Sequence, residues 1–318
     1  LRPAGRSPVE MSKLIVEGAT PVRATTSLIV KVRPTVEVTT KDSSLDEVGR
    51  VAVVTDSSTC LPPELVAKLG ITTVPVTVHL PGAEGVDGSD QLSKRISEAV
   101  ERDQYVRSSH PFITDYLAAI EESACEEVVI VTPAMEFAGM FRNASLAGEL
   151  TSRRAVVVDS RTAAAGAALV VIAGAEAAAS GGRLEDVVTA LESASRRVDL
   201  VATLATLDPI RRSHRVPAPV LAGTDLEGVF SLFRMRDGSV ELLGEATGES
   251  DAFAAIRAAF ISGGGATAEH STVFHADGSE AAERLCDLLG EIDFVSGFSA
   301  AMQVHTGPGV IGAAWLAR

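Results

Sequence analysis

Val51-Ala52-Val53-Val54-Thr55-Asp56-Ser57-Ser58-Thr59 decides the fold of this chain: four apolar residues in a row give way to hydroxyls grouped around one carboxylate. So short and unbroken an apolar run suits a strand buried on both faces of a parallel sheet, not an alternating surface strand. A helix is expected next. Pro62 or Pro63 suits its first turn, Glu64 suits the positive end of its dipole, and Gly70 closes it before a strand expected over 71–78. The cassette recurs at 128–131 and at 155–160, the latter leading into an alanine-rich helix over 163–179. Such alternation predicts parallel βαβ units in an α/β sheet covered on both faces. Ligands of such sheets sit at the carboxyl ends of the strands, where Asp56-Ser57 and Asp159-Ser160 fall; an Asp or Ser there serves equally as a helix cap.

Upstream of this stretch, residues 1–48 carry Pro3, Pro8, Pro21 and Pro34 and no amphipathic run, and read as a mobile extension with Met11 as a candidate start. An edge strand around 28–32 is the alternative. Downstream, a helix is expected over 184–198, and its end marks a junction between an α/β domain (49–198) and a smaller α+β domain (199–318). The second domain opens with a strand over 200–204 and a dense basic cluster, Arg211-Arg212-Ser213-His214-Arg215, followed by Pro217 and Pro219. Asp237-Gly238 supplies the positive-φ positions of a type I′ turn between strands at 230–236 and 240–243. Gly263-Gly264-Gly265 reads as a surface loop. A strand from Thr272, a helix over 279–289, a strand from Ile292 and a last apolar strand over 310–316 complete the chain.

Composition narrows the function. With 42 Asp plus Glu against 28 Lys plus Arg, the formal charge is −14, which repels nucleic-acid phosphates and anionic membrane surfaces. Aromatics make up only 4%, too few for platforms that stack single-stranded bases. Cys60, Cys125 and Cys286 are odd in number and widely spaced, arguing against a disulfide framework or zinc site and for a reducing cytoplasm. No secretory signal is read at the N-terminus, and the alanine-rich tract, interrupted by Glu176, is short for a bilayer span.

Two constellations carry chemistry. In His305-Thr306-Gly307-Pro308-Gly309 an imidazole and a hydroxyl stand beside a backbone freed by two glycines, which suits either a binding loop or a plain turn. In Ser108-Ser109-His110-Pro111 the proline suits the first turn of a helix, so both hydroxyls are expected at a helix N-terminus. There they would either hold an anion or cap the helix. A hydrolase reading fares poorly, since no Gly-x-Ser-x-Gly elbow occurs. The six histidines lack HExxH spacing, and no Walker A sequence is present.

Taken in order, Thr55-Asp56-Ser57-Ser58-Thr59, Leu61-Pro62, Val74-Pro75-Val76-Thr77-Val78, Asp87-Gly88, Ser108-Ser109-His110-Pro111, Val158-Asp159-Ser160 and His305-Thr306-Gly307-Pro308-Gly309 form a specific series, and over about 50–318 the chain resembles the DegV family. The resemblance implies a two-domain protein holding one long-chain fatty acid in an interdomain tunnel, as the binding subunits of bacterial fatty acid kinase do. The acid is then presented to a separate kinase catalytic subunit, with no cofactor and no catalytic residue on this chain. Carried over residue by residue, Ser109 and His305 would grip the carboxylate, Ser108, Arg215 and Thr306 would support it, and Gly139, Gly307 and Gly309 would contribute loop backbone. Two positions depart from the family pattern. Ala138 stands where a second carboxylate-contacting serine is usual, and Ser213-His214-Arg215-Val216 replaces Gly-Gly-Arg-Ile, keeping the arginine and bringing His214 toward the site.

Two other functions compete with this one. A small-molecule enzyme would use the same cleft with His305 as general acid or base and Arg215 as anion clamp. A divergent paralogue with an empty cleft would be structural or regulatory.

Overall fold

A computed structural model of the chain describes residues 51–318, apart from 89, 103, 105, 224, 225 and 277. The extension expected over 1–48, its alternative edge strand and Met11 lie outside the described residues. The first cassette is β1 (Val51–Asp56), a 3-10 turn (Ser57–Thr59), α1 (Pro63–Leu69) and β2 (Thr72–Val74). A small unit is inserted next: β3 (Thr77–Leu80), β4 (Ala83–Val86), α2 (Asp90–Glu101) and β5 (Arg107–Ser109). The alternation resumes with α3 (Ile113–Glu121), β6 (Glu127–Thr132), α4 (Met140–Leu150), β7 (Arg154–Asp159), α5 (Ala164–Ala179) and α6 (Leu184–Arg197). Then come β8 (Val198–Leu204), α7 (Asp208–Ser213), β9 (Val229–Arg236), β10 (Ser239–Thr247) and α8 (Glu249–Ser262). Last are β11 (His270–His275), α9 (Ser279–Leu289), β12 (Phe294–Gly297), α10 (Ala300–Thr306) and β13 (Ile311–Leu316).

In the first sheet the strand order is β2-β1-β6-β7, all parallel. Its unbroken apolar runs have a simple cause: alternate side chains serve opposite faces, and both faces are covered. Val51, Val53, Val129 and Val131 pack toward α5 and α6, whereas Val54, Val128 and Ile130 pack toward α3 and α4. The second sheet runs β10-β9-β8-β13-β11-β12 and is antiparallel except between β11 and β12. One face meets α8 and α9 through Phe253, Ile256 and Leu285; the other meets α5.

The alanine-rich α5 therefore stands between the sheets, against β1 and β6 on one side and β8, β11 and β13 on the other. Its small residues make that position feasible. A Cβ at Gly174 would lie 2.4 Å from Leu191 Cδ2 of α6, so a larger residue would push α5 away from α6. One continuous apolar core passes from the first sheet through α5 into the second. Among the described residues no helix is long and apolar enough to cross a membrane.

Two expectations are corrected. The strand foreseen over 71–78 is two strands in different sheets. Pro75 has no N–H to give to a ladder, and the Val76 N–H leaves the first sheet to donate to Ser57 Oγ at 3.0 Å. Gly263-Gly264-Gly265 is not a bare surface loop: a Cβ at Gly263 would lie 2.4 Å from Trp315 Cζ2, and Trp315 Nε1 donates to Gly263 O at 2.8 Å. The hairpin at Asp237-Gly238 forms with φ of 51° and 76°, as the turn chemistry predicts, and β10 runs on past a bulge at Leu243.

Candidate ligand site

β3, β4 and β5 form a three-stranded antiparallel sheet beside α10, and its register decides which serine does what. Ser108 lies opposite Val78 and Ser109 opposite Thr77. Adjacent strand residues point to opposite faces. Ser108 accordingly shares the inner face with the buried Val78, and its Oγ meets His305 Nε2 of α10 at 2.7 Å. Ser109 turns the other way, its Oγ 2.6 Å from His79 Nε2, while His79 Nδ1 is 3.3 Å from Glu84 Oε2.

That placement corrects the expectation of two hydroxyls at a helix N-terminus. Both serines are strand residues; α3 begins at Ile113, and the Asp115 carboxylate accepts the Phe112 N–H at 2.7 Å. Of the two serines, Ser108 lines the cavity with His305. Although Ser109, His79 and Glu84 stand in the order of a hydrolase triad, Ser109 sits in a regular strand rather than at the strained turn that exposes a nucleophile.

His305 belongs to the last turn of α10, not to a loop. Ser299 caps this helix through Oγ, which accepts the Met302 N–H at 3.4 Å. The carboxylate of Asp87 accepts the Ala301 N–H at 3.1 Å and the Ser57 hydroxyl at 2.7 Å, tying the helix to the turn after β1. In that turn Asp56 Oδ1 accepts both the Ser58 N–H at 3.0 Å and the Ser58 hydroxyl at 2.5 Å, and the side chain so held borders the cavity. The Asp56-Ser57 turn thus acts as a cap and clamp, with the Ser58 hydroxyl spent on Asp56. At the parallel turn, Asp159 Oδ1 accepts the Arg161 N–H at 2.8 Å, a local role.

The glycines of His305-Thr306-Gly307-Pro308-Gly309 serve the chain reversal from α10 to β13. Gly307 has φ of 72°, and a Cβ there would lie 2.7 Å from Pro209 Cγ; Gly309 has φ of 77° and faces Ala205. Thr306 borders the cavity, with its hydroxyl donating to Met302 O at 3.1 Å. Gly139 precedes α4, and the His110 ring packs on it, with Nδ1 3.3 Å from where a Cβ would stand.

Arg215 completes the polar wall, its guanidinium donating to Phe137 O at 2.9 Å. His214, in the left-handed conformation that ends α7, faces an outer cleft beyond Arg215 instead of the cavity. The electrostatics of this wall are one-sided. Burial, then Arg215 and His110, hold the His305 imidazole down to about 3. Burial and Arg215 likewise lower His110, and burial lowers Arg215 itself. Burial disfavours the charged form of all three groups, and Arg215 adds to the effect on both histidines, so His305 stands neutral and an anion beside Arg215 would offset the cost of burying that charge.

Around this wall the cavity is apolar, lined by Val76, Phe137, Ala138, Met140, Ala301 and Met302. Ala163, Ile210, Val216, Met235, Met302 and Thr306 also border a second cavity, so the two adjoin. The sequence reading missed Ala301 and Met302, although Ala301 and His305, and Met302 and Thr306, keep the i, i+4 spacing of one helical face.

Comparison with known proteins agrees with this architecture. The family model described as "Uncharacterised protein, DegV family" matches residues 50–318. A DegV domain-containing protein of Deinococcus radiodurans is 30% identical over 275 residues, 83% of this chain and 97% of the relative. Its counterpart in Streptomyces coelicolor is 29% identical over 272 residues, 82% and 96% of the two chains. A solved structure from Thermus thermophilus, described as fatty acid binding of a DegV family protein, has a TM-score of 0.76 at 27% identity, covering 84% of this chain and 99% of that one. Bacillus subtilis DegV, described as a fatty acid binding protein, shares the fold with a TM-score of 0.75 at 20% identity, covering 85% and 99%. By sequence over nearly the whole described chain and by fold, this protein belongs to the DegV family.

Proposed function

We propose that this protein binds a long-chain fatty acid between its two larger sheets, with the carboxylate at Ser108 and His305 and the acyl tail in the adjoining apolar cavity. One observation carries the reading: a cavity polar and cationic at one end only, with Ser108, His305 and Arg215 on its wall, continues into a second cavity walled almost wholly by hydrocarbon. The Thermus thermophilus relative, whose description names fatty acid binding, supports it. Each buried methylene contributes about 0.8 kcal/mol and each neutral hydrogen bond about 1 kcal/mol, so the tail sets affinity and the head sets pose. Loss of a hydroxyl at Ala138 is tolerable on that arithmetic.

The role is that of carrier rather than catalyst. A general base working near neutrality needs a pKa near the working pH, and His305 is held down to about 3. Arg215 borders both the head cavity and the outer cleft, so a carboxylate beside it would lie near an opening through which a separate kinase subunit reaches it. Cys60, Cys125 and Cys286 form no disulfide with one another, which suits a cytoplasmic location.

Native mass spectrometry of the protein purified from cells, with lipid extraction, tests this. A bound fatty acid of defined mass is expected. Reproducible absence of any acyl ligand, together with no uptake on reconstitution, overturns the proposal.

A further inference from the structure

The second cavity has two unlike boundaries. Toward solvent its wall is Val216, Leu221 and Val240, residues that also line the outer cleft and so form a thin partition. Toward the interior its wall is the ring pair Phe274 and Phe298, stacked with centroids 5.4 Å apart and planes 2° from parallel. Neither ring reaches the polar cavity.

Phe274 and Phe298 cannot easily retreat. Phe274 is 1% exposed, and its Cζ lies 2.5 Å from where a Cβ on Gly312 would stand, so the ring is pressed to the backbone of β13. Phe298 is held by its N–H, which donates to His275 O at 2.7 Å at the end of β11. On its stacked face each ring also blocks the other from turning.

Resting on the fatty-acid reading above, we propose that Phe274 and Phe298 form a rigid floor that sets the maximum acyl length this protein accepts. A terminal methyl that meets the rings can gain nothing from further methylenes, because overpacking a closed wall costs as much as burial returns. Removing one ring opens the floor while leaving the Ser108–His305 end untouched.

The test is competition by native mass spectrometry, with an equimolar series of even-chain saturated fatty acids from laurate to behenate offered to the delipidated wild type and to Phe298→Ala. The wild type is expected to show a sharp upper limit in length. Phe298→Ala should move that limit to longer chains, with affinity for the next two-carbon homologue rising roughly tenfold relative to wild type. Phe298→Leu, a milder truncation, should shift the limit in the same direction by less, and it serves if the alanine variant fails to melt cooperatively. An unchanged length distribution on variants that still bind overturns this inference alone. No fatty acid of any length on the wild type overturns the parent reading, and the floor with it.

Discussion

At the Ser108–His305 end, the cavity wall is built from groups at odds with their surroundings: a buried imidazole held down to about 3, a desolvated arginine and a second histidine lowered by burial and then by that arginine. At the Phe274–Phe298 end, the wall is built from groups wholly at ease there, two rings stacked against strand backbone. The first wall stores electrostatic cost that an anion can release; the second stores nothing and only defines a boundary. Specific orientation of an amphipathic ligand follows from that asymmetry alone, because reversing the ligand would leave Arg215 without an anion and bury a carboxylate among hydrocarbon.

The comparison breaks most readily at the throat. Ala163 borders both cavities and precedes α5 in extended conformation, where a larger side chain fits the backbone. Ala163→Leu should fill the passage and, by denying about four methylenes their burial, cut long-chain affinity on the order of a hundredfold in a fluorescent fatty-acid displacement assay. Affinity for a short acid reaching only the first cavity should change little. Equal losses for both would mean that the two cavities do not serve one ligand.

Next in size is a pH effect confined to the polar end. His305 in the folded protein titrates near 3, below the ordinary histidine value of 6.5, so between those limits the unfolded chain takes up a proton that the folded chain refuses. Stability is therefore lost as pH falls from about 6.5. Asp56 acts with the opposite sign: burial raises it from 3.8 to about 6, so its contribution is present in acid and lost as pH rises through that value. His305→Gln should remove about 2 kcal/mol of the acid penalty at pH 5, narrowing the Tm drop between pH 7 and pH 5 by several degrees. An identical drop in the variant would place the acid sensitivity elsewhere.

The smallest effect distinguishes neighbouring serines. Ser108→Ala should weaken fatty-acid binding about fivefold by isothermal titration, the value of one neutral hydrogen bond. Ser109→Ala should leave affinity unchanged, since its hydroxyl serves His79 on the other face of β5.

Much of the architecture is legible in the sequence because its signals are local. The apolar runs of β1, β6 and β7, the Asp-Gly turn and the proline and glycine around α1 need no tertiary context. The insertion was not legible in full: Val74-Pro75-Val76 reads as one strand until Ser57 Oγ draws the Val76 N–H out of the sheet. Nor was α10, a helix of seven residues whose start depends on Asp87, 214 positions away, accepting from Ala301. At the site, residue types were readable and orientation was not. Ser108 and Ser109 are chemically equal in sequence, and only their register against Val78 and Thr77 decides which one faces His305.

A structure of the protein soaked with a long-chain saturated fatty acid tests the central claim most directly. The account predicts one acyl chain with its carboxylate within hydrogen-bonding distance of Ser108 Oγ and His305 Nε2 and its terminal methyl against Phe298. A chain lying in the outer cleft, or running with its carboxylate toward Phe274 and Phe298, would contradict it.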